Sequence, residues 1–376
     1  MTRQSPLSEI HRAHGALFGE EYVWSLPAHF GDPLNEYHSV RTHVGLLDLS
    51  HRSHLRFSGP DRIPYLQGMV SNDVKGLRPG KGMAAAVLDL QGKVLAETRI
   101  YCLEDCLLMD LWEPVKEKIL AHLHHHIVAD EVEITDLADQ YGTVSLQGRR
   151  SRDLLIELGG THVLLSEEFN HHEAVLAGGS CRLIRATHTG EEGYDIMIEK
   201  DNLLPAVMSI EEKGKNHSLQ WIGTQAQEML RIESGIPLYG VDIGEDNLLL
   251  ETGLDQTVSF DKGCYLGQEV VERVHSRGHV NKKLVGMLLE GGETAHRGAA
   301  IDTKQASVGR VTSSVFSPAL GRPLALGYVQ REFTEAGTSV AIQHNGGTIQ
   351  AEVCPLPFYR NPGMDRGCQV IRNNIV

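Results

Sequence analysis

The chain has 376 residues and a mass of 41.5 kDa, long enough for two or three packed domains with an ample core. Hydrophobic residues make up 41% and charged residues 22%, which excludes a disordered chain, and no apolar run reaches the roughly 18 residues of a membrane span. A formal net charge of −14 excludes stable nucleic-acid binding, which needs clustered Lys and Arg, and leaves a local basic patch as the one route to a transient tRNA contact.

Residues Met1 to Leu7 contain no apolar signal region, so no secretory signal is expected. Cys102, Cys106, Cys181, Cys264, Cys354 and Cys368 are too scattered for a disulfide framework, and none forms a C-x-x-C pair. The expectation is a reduced, cytoplasmic protein with no membrane contact.

In chain order, the apolar run Ala84 to Asp89, a turn at Leu90–Lys93 and a strand from Val94 to Tyr101 predict a meander. A second turn at Leu103–Asp105 leads into a strand over Cys106 to Leu111. Pro114 then opens a helix with Val115, Ile119, Leu123 and Ile127 on one stripe. Thr143 to Leu146 reads as strand, and Arg149 to Leu158 as a helix closed by Gly159 and Gly160. Cys181 to Ala186 and Tyr194 to Ile198 read as paired strands, and Thr224 to Ser234 as a helix ending at Gly235. Beyond Lys283 five short β-like segments, starting at Leu284, Ser307, Leu324, Ser339 and Ile349, predict a small all-β barrel or sandwich. The fold class is therefore α+β.

Phosphate-loop, dinucleotide-binding, zinc-protease and serine-hydrolase signatures are absent. The densest histidine cluster, His122, His124, His125 and His126, occupies helix positions that point in different directions. No metal site is expected.

Four ordered segments carry a resemblance. Tyr37-His38-Ser39-Val40-Arg41 and Val44-Gly45-Leu46-Leu47-Asp48-Leu49-Ser50-His51, continued by Ser58–Asp61 and Leu66–Val74, open it. Thr189-Gly190-Glu191-Glu192-Gly193-Tyr194-Asp195-Ile196 and Leu230-Arg231-Ile232-Glu233-Ser234-Gly235-Ile236-Pro237-Leu238-Tyr239-Gly240 follow. Val308–Ser313, Ala325–Val329 and Leu356–Tyr359 close it. This order resembles the folate-binding glycine-cleavage T-protein superfamily. Asp261-Lys262-Gly263-Cys264-Tyr265-Leu266-Gly267-Gln268-Glu269 is similar to the "KGCY-x-GQE" signature of its YgfZ branch. The resemblance implies a three-domain, T-protein-like ring around tetrahydrofolate. Its expected parts are an α+β folate-binding domain over 1–140, a second α+β domain with the cysteine loop over 141–283, and a β-barrel over 284–376. For the YgfZ branch it further implies folate as partner, iron–sulfur client proteins, and a role in cluster assembly or repair and tRNA modification. The alternatives are a folate-dependent aminomethyltransferase, and a non-catalytic interaction protein with a vestigial folate site.

Several family positions differ. Ala96 and Glu97 replace a pair of aspartates, one of which is taken to act in one-carbon transfer, so loss of aminomethyl transfer is expected. Ala84, Asp110, Asp195 and Gln227 replace a tyrosine, an asparagine, a glutamate and an arginine, whereas Tyr101, Tyr194, Arg231 and Tyr239 are retained. The resemblance thus implies a folate pocket formed by Tyr101, Asp110, Glu191, Asp195, Arg231 and Tyr239.

The residue chemistry leaves each assignment open. A carboxylate at Asp195 or Glu191 suits the adjacent N–H and amine of a pterin, or simply caps a turn. The Arg231 fork suits a carboxylate ligand or an interior ion pair. Tyr101 and Tyr239 suit ring stacking or a core. Glu97 stays as the one carboxylate of the altered pair. Cys264, with Lys262 before it and Arg273 and Arg277 after it, suits a reactive thiolate, or a small buried hydrophobe.

Overall fold

The computed structural model describes residues 2–361 apart from 22, 177 and 305, so Cys368 lies outside the described residues. The meander forms as its turn chemistry requires. The Asp89 carboxylate accepts from the backbone N–H of Gln91 and Lys93 at 2.8 Å each, and Gly92 takes a φ of 73°. That turn joins Gly82–Leu88 to Val94–Cys102, and Leu107–Trp112 returns alongside. Arg52–Ser58 and Glu133–Asp136 complete a five-stranded sheet. Its inner face (Leu55, Phe57, Ile100 and Met109) packs on helices Arg62–Met69 and Lys116–His125.

The second sheet has six strands, in the order His171–Leu176, Gly179–Arg185, Gly193–Glu199, Tyr141–Gln147, Val44–Asp48, Leu219–Trp221. Its fifth member, Val44–Asp48, comes from the N-terminal side of the division expected at residue 140. Residues 44–48 lie between 141–147 and 219–221, the strands Arg3–Gln4, Leu17–Glu21 and Trp24–His29 form a three-stranded sheet of their own, and only 52–136 build the first sheet. The reason is visible in the strand itself. Val44, Gly45, Leu46 and Leu47 are buried in succession, and a strand apolar on both faces belongs in a sheet's interior.

From Lys282 the chain closes a six-stranded barrel over Lys282–Leu289, Ala300–Asp302, Ser307–Ser317, Arg322–Gln330, Ser339–His344 and Gly347–Cys354. Alternate residues such as Val285, Met287 and Leu289 fill its interior. Among the described residues no helix is long and apolar enough to cross a membrane.

Helix Thr224–Glu233 fastens these parts together. Glu233 is fully buried, and its carboxylate accepts from Arg41, from the Tyr37 hydroxyl at 2.7 Å, and from Ser317 of the barrel. Arg231, also buried, pairs with Asp242 at 2.6 Å and donates to Ser313 of the barrel at 2.8 Å. Removing one partner of a buried pair strands the other in a dry interior. Glu233→Gln is therefore expected to cost about 3–5 kcal/mol in urea unfolding, and an unchanged midpoint would show that Glu233 does not fasten the lobes.

Candidate functional site

A cavity of about 630 Å³ opens where the two sheets, the segment after helix Thr224–Glu233 and the barrel meet. That size suits a small organic ligand. One wall comes from strand Val94–Cys102. Period-two alternation sends Glu97 and Arg99 into the cavity, while Ala96 packs into the apolar core behind. Gly235, Ile236 and Pro237 supply a second wall, and Lys283, Leu284, Cys354 and Leu356 a third.

Arg99 is the cation at the cavity base. Its Nη1 lies 3.3 Å from Asp195 Oδ2, its Nη2 lies 3.4 Å from His188 Nδ1, and its guanidinium sits 5.8 Å from the Phe169 ring centre. Burial works against its charge, but the oxygens of Tyr101, Asp110, Asp195 and Glu97 outweigh burial and push the pKa up. Asp195 stands behind Arg99 rather than on the wall. It accepts from Ser145 Oγ at 2.6 Å and has His188 Nε2 at 2.9 Å. Burial alone would raise the Asp195 pKa; His188, Arg99 and Ser145 outweigh it and hold the carboxyl below its ordinary 3.8.

The other expected folate contacts are off the wall, each for a definite reason. Tyr101 is fully buried between the two sheets with Leu108, Ile184 and Met197. Asp110 is clasped by Arg52 Nε at 2.8 and 3.1 Å. Glu191 pairs with Arg41 at 2.5 Å. The Arg231 fork is taken up by Glu228 at 2.7 Å and Asp242 at 2.6 Å, which leaves no free edge for a ligand carboxylate. Tyr239 packs on Ala86, Leu88 and Val94 and donates its hydroxyl to the Leu95 carbonyl.

Lys262 and Cys264 also part company. Lys262 Nζ donates to the carbonyls of Gln67, Val70 and Asn72 at 2.6, 2.6 and 2.8 Å. An ammonium has three protons, so none remains for the thiol. Burial lowers the Lys262 pKa to about 8. Lys262 thus closes the C-terminal end of helix Arg62–Met69, whereas Cys264 is exposed on its loop. Cys102, Cys106 and Cys181 are buried. Cys354 is half-buried on the cavity wall, and burial pushes its thiol up to about 11. Among the described residues no group of three or more His, Cys, Asp or Glu side chains is placed to hold a metal ion.

Sequence reasoning missed Arg99, His188 and Cys354. Arg99 had a signal, because a strand residue two positions from Glu97 shares its face. His188 and Cys354 had none, since their place depends on pairings between distant segments.

The family model described as GCVT N-terminal domain matches residues 7–262, and the Glycine cleavage T-protein C-terminal barrel domain matches residues 282–360. The Aminomethyltransferase of Halothermothrix orenii is 30% identical over 357 residues, covering 95% of this chain and 99% of that protein. The Aminomethyltransferase of Rubrobacter xylanophilus is 32% identical over 364 residues, covering 96% of each. The glycine cleavage system aminomethyltransferase T of Bartonella henselae superposes with a TM-score of 0.86 at 25% identity, over 96% of this chain and 98% of that one.

Two measurements check this geometry. Asp195 has a depressed folded pKa, so its contribution to stability is present above pH 3.8 and is lost as the pH falls through the lower folded value. Asp195→Asn should therefore lower stability at neutral pH and flatten the acid limb of a urea-midpoint profile; an acid limb identical to wild type would contradict the cluster. In native thiol labelling Cys264 should react ahead of Cys102, Cys106 and Cys181. Labelling of Cys264 only on unfolding would contradict its exposed placement.

Proposed function

Because the chain belongs to the glycine cleavage T-protein family, we propose that it binds a reduced folate in the central cavity and transfers a one-carbon unit as a folate-dependent aminomethyltransferase. The observation that carries this reading is Glu97 beside Arg99 on the cavity wall. The residues present fit tetrahydrofolate. The cavity volume suits it, Glu97 offers an acceptor to the N–H groups of a reduced pterin, and Lys283 offers a cation to the glutamyl carboxylates. When bound, tetrahydrofolate supplies the reduced nitrogen that takes the one-carbon unit.

The chain's own part is positioning and proton handling. Glu97, half-buried, is the general acid–base group of the wall. Arg99, locked by Asp195, His188 and Phe169, holds ligand oxygens in place without moving itself. Ile236, Pro237 and Leu356 supply apolar surface that keeps water from the bound ring. Replacement of both family aspartates predicts, from sequence alone, loss of the transfer. The strand geometry separates the two positions. Position 96 faces the core and position 97 faces the cavity, so the carboxylate on the cavity side is kept, one methylene longer.

A second reading is favoured by the exposed Cys264. In it the same folate-binding cavity serves a YgfZ-like accessory role in iron–sulfur cluster assembly or repair and tRNA modification, with the thiol as the working group. Turnover of an aminomethylated carrier protein with tetrahydrofolate distinguishes the two. Glu97→Gln should keep folate binding within a few-fold and lower turnover by roughly 10²–10⁴-fold, with Cys264→Ser unaffected. Absent turnover in the wild-type protein, with folate binding intact and client function lost in Cys264→Ser, would favour the second.

A further inference from the structure

A second cavity, about 610 Å³ and so nearly the volume of the first, lies in the seam between the barrel and the turn Gly240–Asn247. In a chain of net charge −14 its lining is rich in cations: Lys282, Arg297 and Arg310. Of the carboxylates on or beside it, Asp242 is matched by Arg231 at 2.6 Å, Asp246 is exposed, and Glu251 stands 3.7 Å from Lys282. Arg297 is anchored without losing charge, since it donates to the neutral carbonyls of Gly240 and Val241 at 2.8 and 3.1 Å. The Arg310 side chain is exposed and has no hydrogen bond or ion pair among the described residues. It sits directly opposite Tyr328 across the antiparallel pair of barrel strands.

Tyr328 is the independent observation. It lines the cavity, is 8% exposed, and its buried hydroxyl has no hydrogen-bond partner among the described residues. Lys282 Nζ stands 5.1 Å from the centre of its ring. A buried hydroxyl without a partner is destabilising, and native structures keep few of them without a use. Here it adds an O–H donor to an unpaired guanidinium fork, a second anchored guanidinium and an ammonium. Lys282 also donates to the Asp246 carbonyl at 3.3 Å, so Arg310 and the Tyr328 hydroxyl are the donors left without a protein acceptor, and donors of this kind are what a phosphate or carboxylate group requires.

We infer that this seam cavity is a second ligand site, separate from the central cavity, for a small molecule bearing a phosphate or carboxylate group, held by Arg310, Lys282, Arg297 and the Tyr328 hydroxyl. The ligand's anionic group meets Arg310 and Lys282 at the rim, and the Tyr328 hydroxyl donates from within. Occupancy joins the barrel to the turn that carries Asp242, and through Asp242 to Arg231 of helix Thr224–Glu233.

The test is calorimetric titration of the whole chain with glycerol 2-phosphate and, separately, with glutarate. Saturable binding of either supports the site, and the tighter of the two identifies the group it prefers. Arg310→Gln and Lys282→Gln should each weaken that binding at least about tenfold, with tetrahydrofolate binding unchanged. Glu97→Gln should leave it untouched, which separates this site from the central one. Tyr328→Phe guards against a merely structural role. Loss of an unsatisfied hydroxyl should weaken the anion several-fold while ligand-free thermal stability stays equal or rises. Absence of saturable binding of both probes, wild-type affinity in Arg310→Gln and Lys282→Gln, or a ligand-free Tyr328→Phe protein less stable than wild type would overturn the proposal.

Discussion

The architecture depends on the buried carboxylate of Glu233. It collects Arg41 and Tyr37 from helix Pro33–Thr42 and Ser317 from the barrel. Arg41 in turn reaches Glu191 at 2.5 Å and lies 4.3 Å from the Tyr359 ring centre. Charges this deep are tolerated only when each is matched and its remaining lone pairs are met. The cluster meets that condition by drawing on residues up to 196 positions apart. It therefore forms only when the lobes are correctly docked. Two residues earlier, Arg231 does the same with Asp242 and Ser313. One helix thus holds the second lobe and the barrel in register, and the residues that follow it, Gly235 to Pro237, are cavity wall.

With the lobes fixed, the alternation of strand Val94–Cys102 decides the chemistry. Glu97 and Arg99 face the cavity, Ala96 and Thr98 face away, and the Thr98 hydroxyl is taken up by the Asp110 carbonyl at 2.8 Å. A paired motif on a strand is two separate environments, so an exchange at one member says little about the other. Behind the wall, Asp195, His188 and Ser145 form a closed polar cluster whose effect on any ligand passes through Arg99.

Local signals made much of the fold legible. The Asp89–Gly92 turn, the stripe of Ile119 and Leu123, the stop at Gly235 and the short strands after Lys283 all report near-neighbour physics, and each predicted element exists with ends shifted by a few residues. The strand Val44–Asp48 was not placed, because its partners at 141–147 and 219–221 are remote. The site was less legible still. Arg231 and Tyr239 stand in segments that identify the family, and an arginine or tyrosine in such a segment reads equally as ligand contact or as scaffold. Only the positions of Asp242 and the Leu95 carbonyl show that both are scaffold. Lys262 neighbours Cys264 in sequence alone; three carbonyls around residue 70 draw it elsewhere.

The central claim, that a reduced folate occupies the cavity bounded by Glu97, Arg99 and the barrel, is tested most directly by the thiol on its wall. Cys354 lines the cavity and Cys264 lies outside it. Alkylation of both should be followed by mass spectrometry with and without tetrahydrofolate. At about ten times its Kd, folate should slow modification of Cys354 about tenfold and leave Cys264 unchanged. Equal Cys354 rates with and without saturating folate, or protection of Cys264 alone, would place the ligand elsewhere and contradict the account.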